Sequence, residues 1–558
     1  MEYHNEQSSQ SIPKRNRLGF FLLTAWCWVF FSTLQAQHID YRIVPLPQSI
    51  KTDTLHSFIL RQGMSIAFDG NNAEVARIAK FLSKWTEEIV GIRLSPAPNI
   101  EKAAITMVLT PTEMPEEAYI LEVGMKGVTL KAHRPEGLFR AAQTLRKSLA
   151  SMRSYHQESE LKLPFVHIED HPRFPYRGVL LDCARHYFSV NDIKRLLDVM
   201  ALHGCNQFHW HLTDDQGWRF EVKALPRLAL EGSWRDKTVL GYNTGIYDGV
   251  PHGGFYTQQE CRELVQYAAE RFISIVPEID LPGHMQSALH VFPDLGCTGG
   301  PYPVMTSWGI SRDVLCAGNS ETLSFLKTVL NEVCNVFPSK YIHIGGDECP
   351  RDRWRKCAKC QAKIRELGLK ADGHRSAESQ LQTYINHEVE QFLNLRGRHI
   401  IGWDEILEGG LTGTSVVMSW RGAKGGIEAA RQHHGVIMSP NIYAYLNRPQ
   451  LKDLGRQPRT TDGYIVPASK TYSFEPAFPD SLSTKEQAYI MGVQACIWTE
   501  HIVFPDHLFY QLLPRLAALS EVQWCQPVLK DFNDFKTRLP QLEQLYRSIG
   551  LPYCPDIE

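Results

Sequence analysis

Two acidic side chains, Asp347 and Glu348, stand side by side where an apolar segment ends, in the stretch YIHIGGDECPRDRW. The two glycines before them, Gly345 and Gly346, permit tight turns of the backbone and close approach of a ligand. Paired carboxyl groups are typical of enzymes that hydrolyse glycosidic bonds, where one protonates the leaving oxygen and the other acts as nucleophile or base. Adjacent residues of a strand point to opposite faces, so this pair is badly placed to flank one bond. The two acids must address different atoms of one substrate, unless they belong to an exposed turn without function.

Charged and aromatic side chains also stand at the ends of seven other apolar segments. If these segments are parallel strands of one barrel, their carboxyl ends share the face on which barrel enzymes act. Carboxylates bind sugar hydroxyls and aromatic rings stack on the apolar faces of sugars, so the pattern predicts a carbohydrate pocket. Core packing is the alternative for each tryptophan taken alone. The side chains are, in chain order, Asp182, Arg185, Asp214, Asp215, Asp280, His284, Trp403, Asp404, Glu405, Trp420, Arg421, Tyr443, Tyr445, Asn447, Trp498 and Glu500.

Two other functions are compatible with such a face. His209 and His211 have the H-x-H spacing of metal-dependent barrel hydrolases. That chemistry requires further histidine, lysine or aspartate ligands on later strands, and the later segments end in tryptophan and tyrosine instead. A sugar-binding protein without catalysis is the third alternative, and the presence of both Asp347 and Glu348 argues against it. No metal and no cofactor are therefore predicted at this face.

The thirteen cysteines raise the separate question of thiol chemistry. Cys349, Cys357 and Cys360 cluster in CPRDRWRKCAKC, and the C-x-x-C spacing suits tetrahedral zinc. No fourth ligand is evident nearby, so a local disulfide or free thiols are favoured over a zinc site. Cys297 and Cys316 bracket one long connection and are candidates for a bond that staples it. The pairing cannot be deduced from the sequence.

The elements that must position these residues follow a repeating pattern. Between residues 173 and 525, eight apolar segments alternate with amphipathic helical ones, which predicts an α/β fold with a closed (β/α)8 TIM barrel. An open doubly wound sheet is the alternative, but no G-x-G-x-x-G follows the first strand. Long connections are expected on the carboxyl face, at 220–256, 281–319, 349–375 and 447–487, and such lengths are usually functional.

The barrel is flanked by other segments. Residues 37–172 alternate strand-like and helical segments and are predicted to form a smaller α+β domain, until two prolines in EDHPRFPYRG break the pattern. Residues 526–558 are expected to form a C-terminal extension that packs on the barrel.

Residues 1–36 have the pattern of a secretory signal peptide. Basic residues precede the apolar run LGFFLLTAWCWVFFSTL, the segment ends in QAQ, and cleavage is expected after Ala36. A retained membrane anchor is the alternative, for which the run is a little short. We expect export to the periplasm, the outer surface or the medium, where disulfides are possible.

Composition limits the partners. The 558 residues carry a formal charge of −2, with 43% hydrophobic and 22% charged residues, which is an ordinary globular composition. This balance provides no basic field for phosphates, so nucleic acid is not expected as a partner and a neutral ligand fits better. The oligomeric state is left open.

The segment HIGGDE resembles the catalytic motif of the β-N-acetylhexosaminidases of glycoside hydrolase family twenty. The segment PLPQSI resembles the family's accessory α+β domain. The resemblance implies an exo-acting enzyme that removes terminal N-acetylglucosamine or N-acetylgalactosamine from glycans. It also implies substrate-assisted, retaining hydrolysis, in which the acetamido oxygen of the sugar is the nucleophile. Six further segments resemble family motifs in family order, namely RGVLLDCARHYF, FHWHLTDDQGWR, PEIDLPGH, GWDEI, VMSWRG and GVQACIWTE.

The resemblance also implies a role for each matching residue. Glu348 corresponds to the general acid and base, and Asp347 to the group that orients the acetamido nitrogen. Arg185 corresponds to an arginine that binds outer hydroxyls of the sugar, and Asp214 and His284 to a relay that contacts the acid. The other matches are Trp403, Trp420 and Trp498 as an aromatic box, Tyr445 on the acetamido oxygen, and Glu500 on the hydroxyls.

The chain departs from the family pattern at Asn447, where the family usually has aspartate. The amide keeps a hydrogen-bond acceptor and gains donors while it loses the charge. Because this position corresponds to one that contacts outer hydroxyls, the preference between gluco and galacto sugars is left open. Cys496 also replaces a common asparagine.

Overall fold

A computed structural model describes residues 39–97, 102–151, 160–242, 244–460 and 463–557. The predicted signal peptide lies outside these residues. Among the helices within the described ranges, none has the length and apolar character needed to cross a membrane.

The first part of the described chain is a seven-stranded sheet with two helices. The strands lie in the order β1-β7-β5-β6-β4-β2-β3. Helix α1 (Ala73–Val90) begins at Asn72, whose side chain accepts hydrogen bonds from two backbone N–H groups, and it packs against α2 (Pro135–Leu149). The last strand, β7, was not predicted from the sequence. The strands are β1 (Ser49–Arg61), β2 (Ser65–Ala67), β3 (Ser95–Ala97), β4 (Ile105–Leu109), β5 (Tyr119–Gly124), β6 (Gly127–Ala132) and β7 (Glu160–Asp170).

Eight parallel strands then close into a barrel, and each coincides to within a residue with, or lies within, one of the segments predicted from the sequence. This confirms the predicted (β/α)8 barrel preceded by a smaller α+β domain. Two short hairpins, β10 (Thr213–Asp214) with β11 (Gly217–Trp218) and β12 (Trp234–Arg235) with β13 (His252–Gly253), lie outside the barrel. The barrel strands are β8 (Tyr176–Asp182), β9 (Gln207–His211), β14 (Ser274–Glu278), β15 (Tyr341–His343), β16 (His399–Trp403), β17 (Val416–Ser419), β18 (Val436–Met438) and β19 (Ile490–Ile497).

The helices around the barrel follow from local sequence signals. A capping box of Ser189 and Asp192 begins the helix after β8, and a second, of Thr257 and Glu260, begins the helix after β13. The helices are α3 (Val190–Leu202), α4 (Arg227–Leu230), α5 (Gln258–Ala269), α6 (Gln286–Val291), α7 (Ser320–Val336), α8 (Asp352–Lys356), α9 (Ala358–Glu366), α10 (Ala377–Asn394), α11 (Lys424–Arg431), α12 (Asn441–Ala444), α13 (Ala468–Tyr472), α14 (Thr484–Gln487), α15 (Pro505–Leu512), α16 (Arg515–Trp524) and α17 (Phe532–Ser548). Short 3-10 helices occupy Pro293–Leu295, Asp404–Gly409, Leu454–Arg456 and Pro527–Leu529.

The first and last barrel strands meet at a seam that one carboxylate closes. Asp182, at the end of β8, accepts hydrogen bonds of 3.0 Å from both the backbone N–H and the hydroxyl of Thr499, which follows β19. The same side chain accepts a bond of 2.9 Å from the backbone N–H of Ala184. The seam therefore fixes the start of the loop that carries Arg185.

Several strands are shorter than the sequence suggested. The seventh ends at Met438 because Pro440 follows, and Tyr443 lies in the short helix α12. The fourth ends at His343, so Asp347 and Glu348 lie in a loop rather than on the strand. Asp404 and Glu405 likewise belong to the 3-10 helix after β16.

A buried ion cluster ties the N-terminal sheet unit to the barrel. Glu117 accepts a hydrogen bond of 2.8 Å from Arg140 of α2 and a shorter one from Arg177 of β8. Asn206, just before β9, donates a third bond of 3.1 Å to the same carboxylate. Burial by itself raises the pKa of Glu117, but the charges of Arg177 and Arg140 outweigh it and lower the pKa to about 2.

We expect Glu117→Ala to destabilise the protein by about 3–5 kcal/mol, because it leaves two arginines without their buried partner. The exposed neighbour Glu113 supplies a matched control, Glu113→Ala. The measurement is urea unfolding at pH 7 and again at low pH. Because the native pKa is depressed, the contribution of Glu117 is complete above about pH 4.5 and is lost as the pH falls toward 2. A deficit that is as large at pH 3 as at pH 7 would contradict this account.

Candidate active site

The loop after β15 holds the acidic pair in a strained backbone. Gly345 and Gly346 have φ of 65° and 92°, and Glu348, which is not a glycine, has φ of 47°. A Cβ on Gly345 would lie 1.8 Å from Asp280 Oδ1, so no larger residue fits there. A left-handed conformation at a non-glycine residue costs free energy and is held only when the surroundings determine it. The strain indicates that the position of Glu348 is imposed by the fold.

Both acids face one imidazole. His284 Nε2 lies 3.8 Å from Asp347 Oδ2 and 3.6 Å from Glu348 Oε2. The prediction that the two carboxyl groups point to opposite faces is therefore wrong, because it treated them as residues of a strand. His284 is itself left-handed, with φ of 51°. Two unusual backbone conformations thus bring the imidazole and the acids together.

A chain of buried hydrogen bonds runs from this imidazole into the barrel. His284 Nδ1 lies 3.1 Å from Asp214 Oδ1, and Asp214 Oδ2 lies 2.9 Å from His211 Nε2. His211 Nδ1 then makes a short hydrogen bond with Glu278. Asp214 and His284 are therefore adjacent, as the resemblance implied.

The charges along this chain alternate. Burial raises the pKa of Glu278, but the neighbouring imidazoles of His343 and His211 outweigh it and hold the pKa well below its usual range. Burial lowers the pKa of His211, but the charge of Glu278 outweighs it and raises the pKa well above normal. Burial also raises the pKa of Asp214, but the charges of Arg185 and His284 outweigh it and hold the pKa well below its usual range. Burial opposes the charge of His284, whose pKa Asp214 raises well above normal.

Asp347 combines an unpartnered buried oxygen with a raised pKa. Its Oδ1 is buried and has no hydrogen-bond partner among the described residues. Burial raises the pKa of Asp347 to about 6, although the positive charge of His284 opposes the shift. Burial, and then the charge of Asp347, raise the pKa of Asp280 well above its usual range. A buried acceptor without a donor is costly, which favours a donor supplied by substrate.

Four aromatic rings from the ends of β16, β17 and β19 and from the loop after β18 form one continuous wall. The rings of Trp420 and Tyr445 are stacked at 6.0 Å, and Trp498 lies 6.2 Å from Tyr445 and 5.8 Å from Trp403. Trp420 donates a hydrogen bond of 3.0 Å to Glu405, and Trp403 donates one of 3.0 Å to Glu278. The three predicted tryptophans and Tyr445 are thus brought together.

The remaining predicted residues lie beside this wall. The guanidinium of Arg185 lies 5.1 Å from the ring centre of Trp498 and 2.9 Å from Asp214 Oδ2. Glu500 is half-buried, and its buried Oε2 has no hydrogen-bond partner among the described residues. Asn447 is also buried, at 4% exposure. Arg185 is engaged by carboxylates of the protein, so its guanidinium is oriented before any ligand arrives.

Glu278 lies at the centre of this arrangement and was not among the site residues predicted from the sequence. Glu278 meets His209 Nε2 at 3.0 Å, His343 Nδ1 at 2.9 Å and His211 Nδ1. His209, Glu278 and His343 are close enough to bind a metal, but the carboxylate is already surrounded by three imidazoles and the Trp403 indole. The two histidines of the H-x-H pattern are therefore better explained as hydrogen-bond partners of Glu278 than as ligands of a metal hydrolase. The signal for Glu278 in the sequence was its place near the end of the third strand segment.

The fold and this face together define a carbohydrate-active barrel enzyme. A closed parallel barrel carries acids, an imidazole relay and an aromatic wall on the face formed by the carboxyl ends of its strands. Such a set is suited to proton transfer beside a sugar ring.

Comparison with known proteins identifies the family. The model for the glycosyl hydrolase family 20 catalytic domain matches residues 174–527, and that for the family's domain 2 matches residues 40–171. The chain belongs to glycosyl hydrolase family 20 and is a glycoside hydrolase.

Individual relatives agree with this assignment. A β-hexosaminidase of Porphyromonas gingivalis is 39% identical over 505 residues, which cover 89% of this chain but only 62% of that protein. A β-hexosaminidase of Vibrio furnissii is 34% identical over 468 residues, covering 83% of this chain and 73% of that one. The structure of a family 20 exo-β-N-acetylglucosaminidase from Vibrio harveyi with N-acetylglucosamine has a TM-score of 0.80 and 29% identity, covering 93% and 79% of the two chains.

We expect Gly345→Ala to lower glycosidase activity by about 100-fold or more, because the new methyl group displaces Asp280 and the loop that carries the acids. Gly368→Ala is the matched control, since Gly368 has φ of 66° and open space around its Cβ position. The control bears only the cost of the left-handed conformation, about 1–2 kcal/mol. The measurements are kcat/KM and the melting temperature of both variants. Equal activity in the two variants would contradict the steric argument.

Proposed function

We propose that this glycoside hydrolase is an exo-acting β-N-acetylhexosaminidase that removes terminal non-reducing N-acetylglucosamine or N-acetylgalactosamine from glycans. The proposal rests on the position of Asp347 and Glu348, whose carboxylates both approach Nε2 of His284. Two acids on one imidazole approach a sugar from the same side, so they do not flank its anomeric carbon. The nucleophile must then come from the substrate, and the acetamido oxygen at C2 is within reach of C1.

In the first step the acetamido oxygen attacks C1 while Glu348 donates its proton to the departing oxygen. The C1–O bond breaks, and an oxazolinium ion forms on the sugar. The unpartnered Oδ1 of Asp347 accepts the hydrogen bond of the acetamido N–H, and its negative charge stabilises the cation. The charge of His284 acts on both carboxylates, since its Nε2 lies 3.8 Å from Asp347 Oδ2 and 3.6 Å from Glu348 Oε2.

In the second step Glu348 removes a proton from water as the water attacks C1. The C1–oxygen bond of the oxazolinium ring breaks, and the sugar leaves with its original anomeric configuration. Glu348 ends the cycle protonated, as it began. The roles of acid and base thus alternate on one carboxyl group, which is exposed enough to meet water at 35% of its side-chain surface.

The aromatic wall supports the choice of an N-acetylated sugar. Trp403 and Tyr445 each lie next to Trp498, and this group of rings offers the apolar surface that an acetamido methyl group requires. Tyr445 lies close enough to Asp347 for the carboxylate charge to raise the tyrosine pKa, after the larger effect of burial. Its hydroxyl is therefore a neutral donor for the acetamido oxygen. Arg185, Asn447 and Glu500 would meet the outer hydroxyls of the terminal sugar.

We expect Glu348→Gln to lower kcat by about 10²–10⁴-fold on a disaccharide whose leaving group needs a proton. The loss should be smaller for an aryl N-acetylglucosaminide with an activated leaving group, because that group departs without help. The matched control is Glu366→Gln, an exposed acid on α9. Normal turnover of the disaccharide by Glu348→Gln would refute the assignment, as would cleavage by the wild type of a glucoside that lacks the N-acetyl group.

We expect kcat/KM of the wild type to fall on the acid side of about pH 6, because Asp347 gains a proton there and loses the charge that stabilises the cation. Asp347→Asn should lower kcat/KM by about 10²–10³-fold and remove this acidic limb from the residual activity. Asp372→Asn, which changes an exposed acid in the same long connection, should leave the profile unchanged. An unchanged acidic limb in Asp347→Asn would contradict the role.

A further inference from the structure

Four cysteine side chains from two separate connections of the barrel converge at one point. Cys297 and Cys316 lie in the connection between β14 and α7, and Cys357 and Cys360 lie in the connection after β15. Their four Sγ atoms lie within 4.8 Å of one another. Cys349, eight residues before Cys357 in the sequence, is not part of this group. The local sequence thus supplies two of the four thiols, and the other two are distant in the chain: Cys316 is 41 residues from Cys357, and Cys297 is 63 residues from Cys360.

The distances match a tetrahedron of thiolates. Sγ of Cys316 lies 3.6 Å from that of Cys360 and 3.7 Å from that of Cys357, and Sγ of Cys297 lies 3.8 Å from that of Cys360. Zinc–sulfur bonds of about 2.3 Å in a tetrahedron place neighbouring sulfurs about 3.8 Å apart. A disulfide requires about 2.05 Å. No cysteine of the described chain is bonded to another.

The surroundings also fit a metal rather than four loose thiols. Cys316 and Cys360 are buried at 1% and 0% exposure, so the centre of the group is shielded from water. Gly318, two residues after Cys316, lies against Lys359, which precedes Cys360. A Cβ on Gly318 would lie only 2.2 Å from the Lys359 backbone, so the two segments are in close contact beside the thiols.

We propose that Cys297, Cys316, Cys357 and Cys360 bind one zinc ion. Binding displaces one proton from each of the four thiols and forms four zinc–sulfur bonds, with no change of oxidation state. A closed set of four ligands leaves no position for substrate, so the role is structural. The site links two connections of the barrel, one of which carries His284 and the other Glu348.

Elemental analysis of the full chain, purified without chelator, tests the proposal. We expect stoichiometric zinc in the wild type, background zinc in Cys360→Ser, and stoichiometric zinc in the control Cys334→Ser, which removes a part-buried thiol of α7 outside the group. Replacement of zinc by Co²⁺ should produce the intense visible absorption of tetrahedral cobalt bound to thiolates. Zinc content and cobalt absorption do not depend on hydrolysis, so they test the zinc site independently of the proposed function.

A second measurement keeps the test decisive if Cys360→Ser does not fold. Treatment of the wild type with an organomercurial should release zinc in proportion to the thiols that react. Metal-free protein with four titratable thiols in this group would overturn the proposal. So would metal-free protein in which peptide mapping finds disulfides among the four cysteines.

Discussion

The active face depends on one carboxylate that is buried at the carboxyl end of the barrel core. Glu278 is fully buried, and a buried charge is tolerated only where partners compensate the cost of removing it from water. Its partners come from the neighbouring strands, with His211 on β9 and His343 on β15 on either side and the Trp403 indole from β16. These groups bind one anion at once, so the relative positions of four adjacent strands are fixed by it.

This constraint extends outward to the reacting groups. His211, held by Glu278, holds Asp214, and Asp214 orients both His284 and Arg185. Each ion is placed between ions of opposite charge, which makes every member sensitive to the loss of its neighbour. The acid at the end of the chain is thereby directed by groups that never touch the sugar. Preorganisation of this kind lets the site stabilise developing charge without rearrangement.

The sequence was informative wherever the signal is local. The eight apolar segments predict the eight strands that form the barrel. Three features escaped it because they arise from contacts distant in the chain. The bond between His211 and Glu278 joins residues 67 apart, and no periodicity encodes that pairing. The left-handed backbone of Glu348 and His284 is imposed by packing rather than by residue type. The thiol group draws on two connections whose proximity only the closed barrel creates.

The seam between β8 and β19 has a consequence for synthesis on the ribosome. Strand β8 emerges early, yet one of its two neighbours in the closed barrel is the last barrel strand, roughly 300 residues later. At about 5–20 residues per second, translation of that interval takes on the order of tens of seconds. During this time the backbone edge of β8 has only β9 to pair with, and an open edge invites association with other nascent chains. The N-terminal sheet unit also completes its contacts late, because Gln48 and Asp170 form hydrogen bonds with Trp524, which is translated after β19. Slow translation and chaperone capture should therefore affect the yield of this chain more than its final stability.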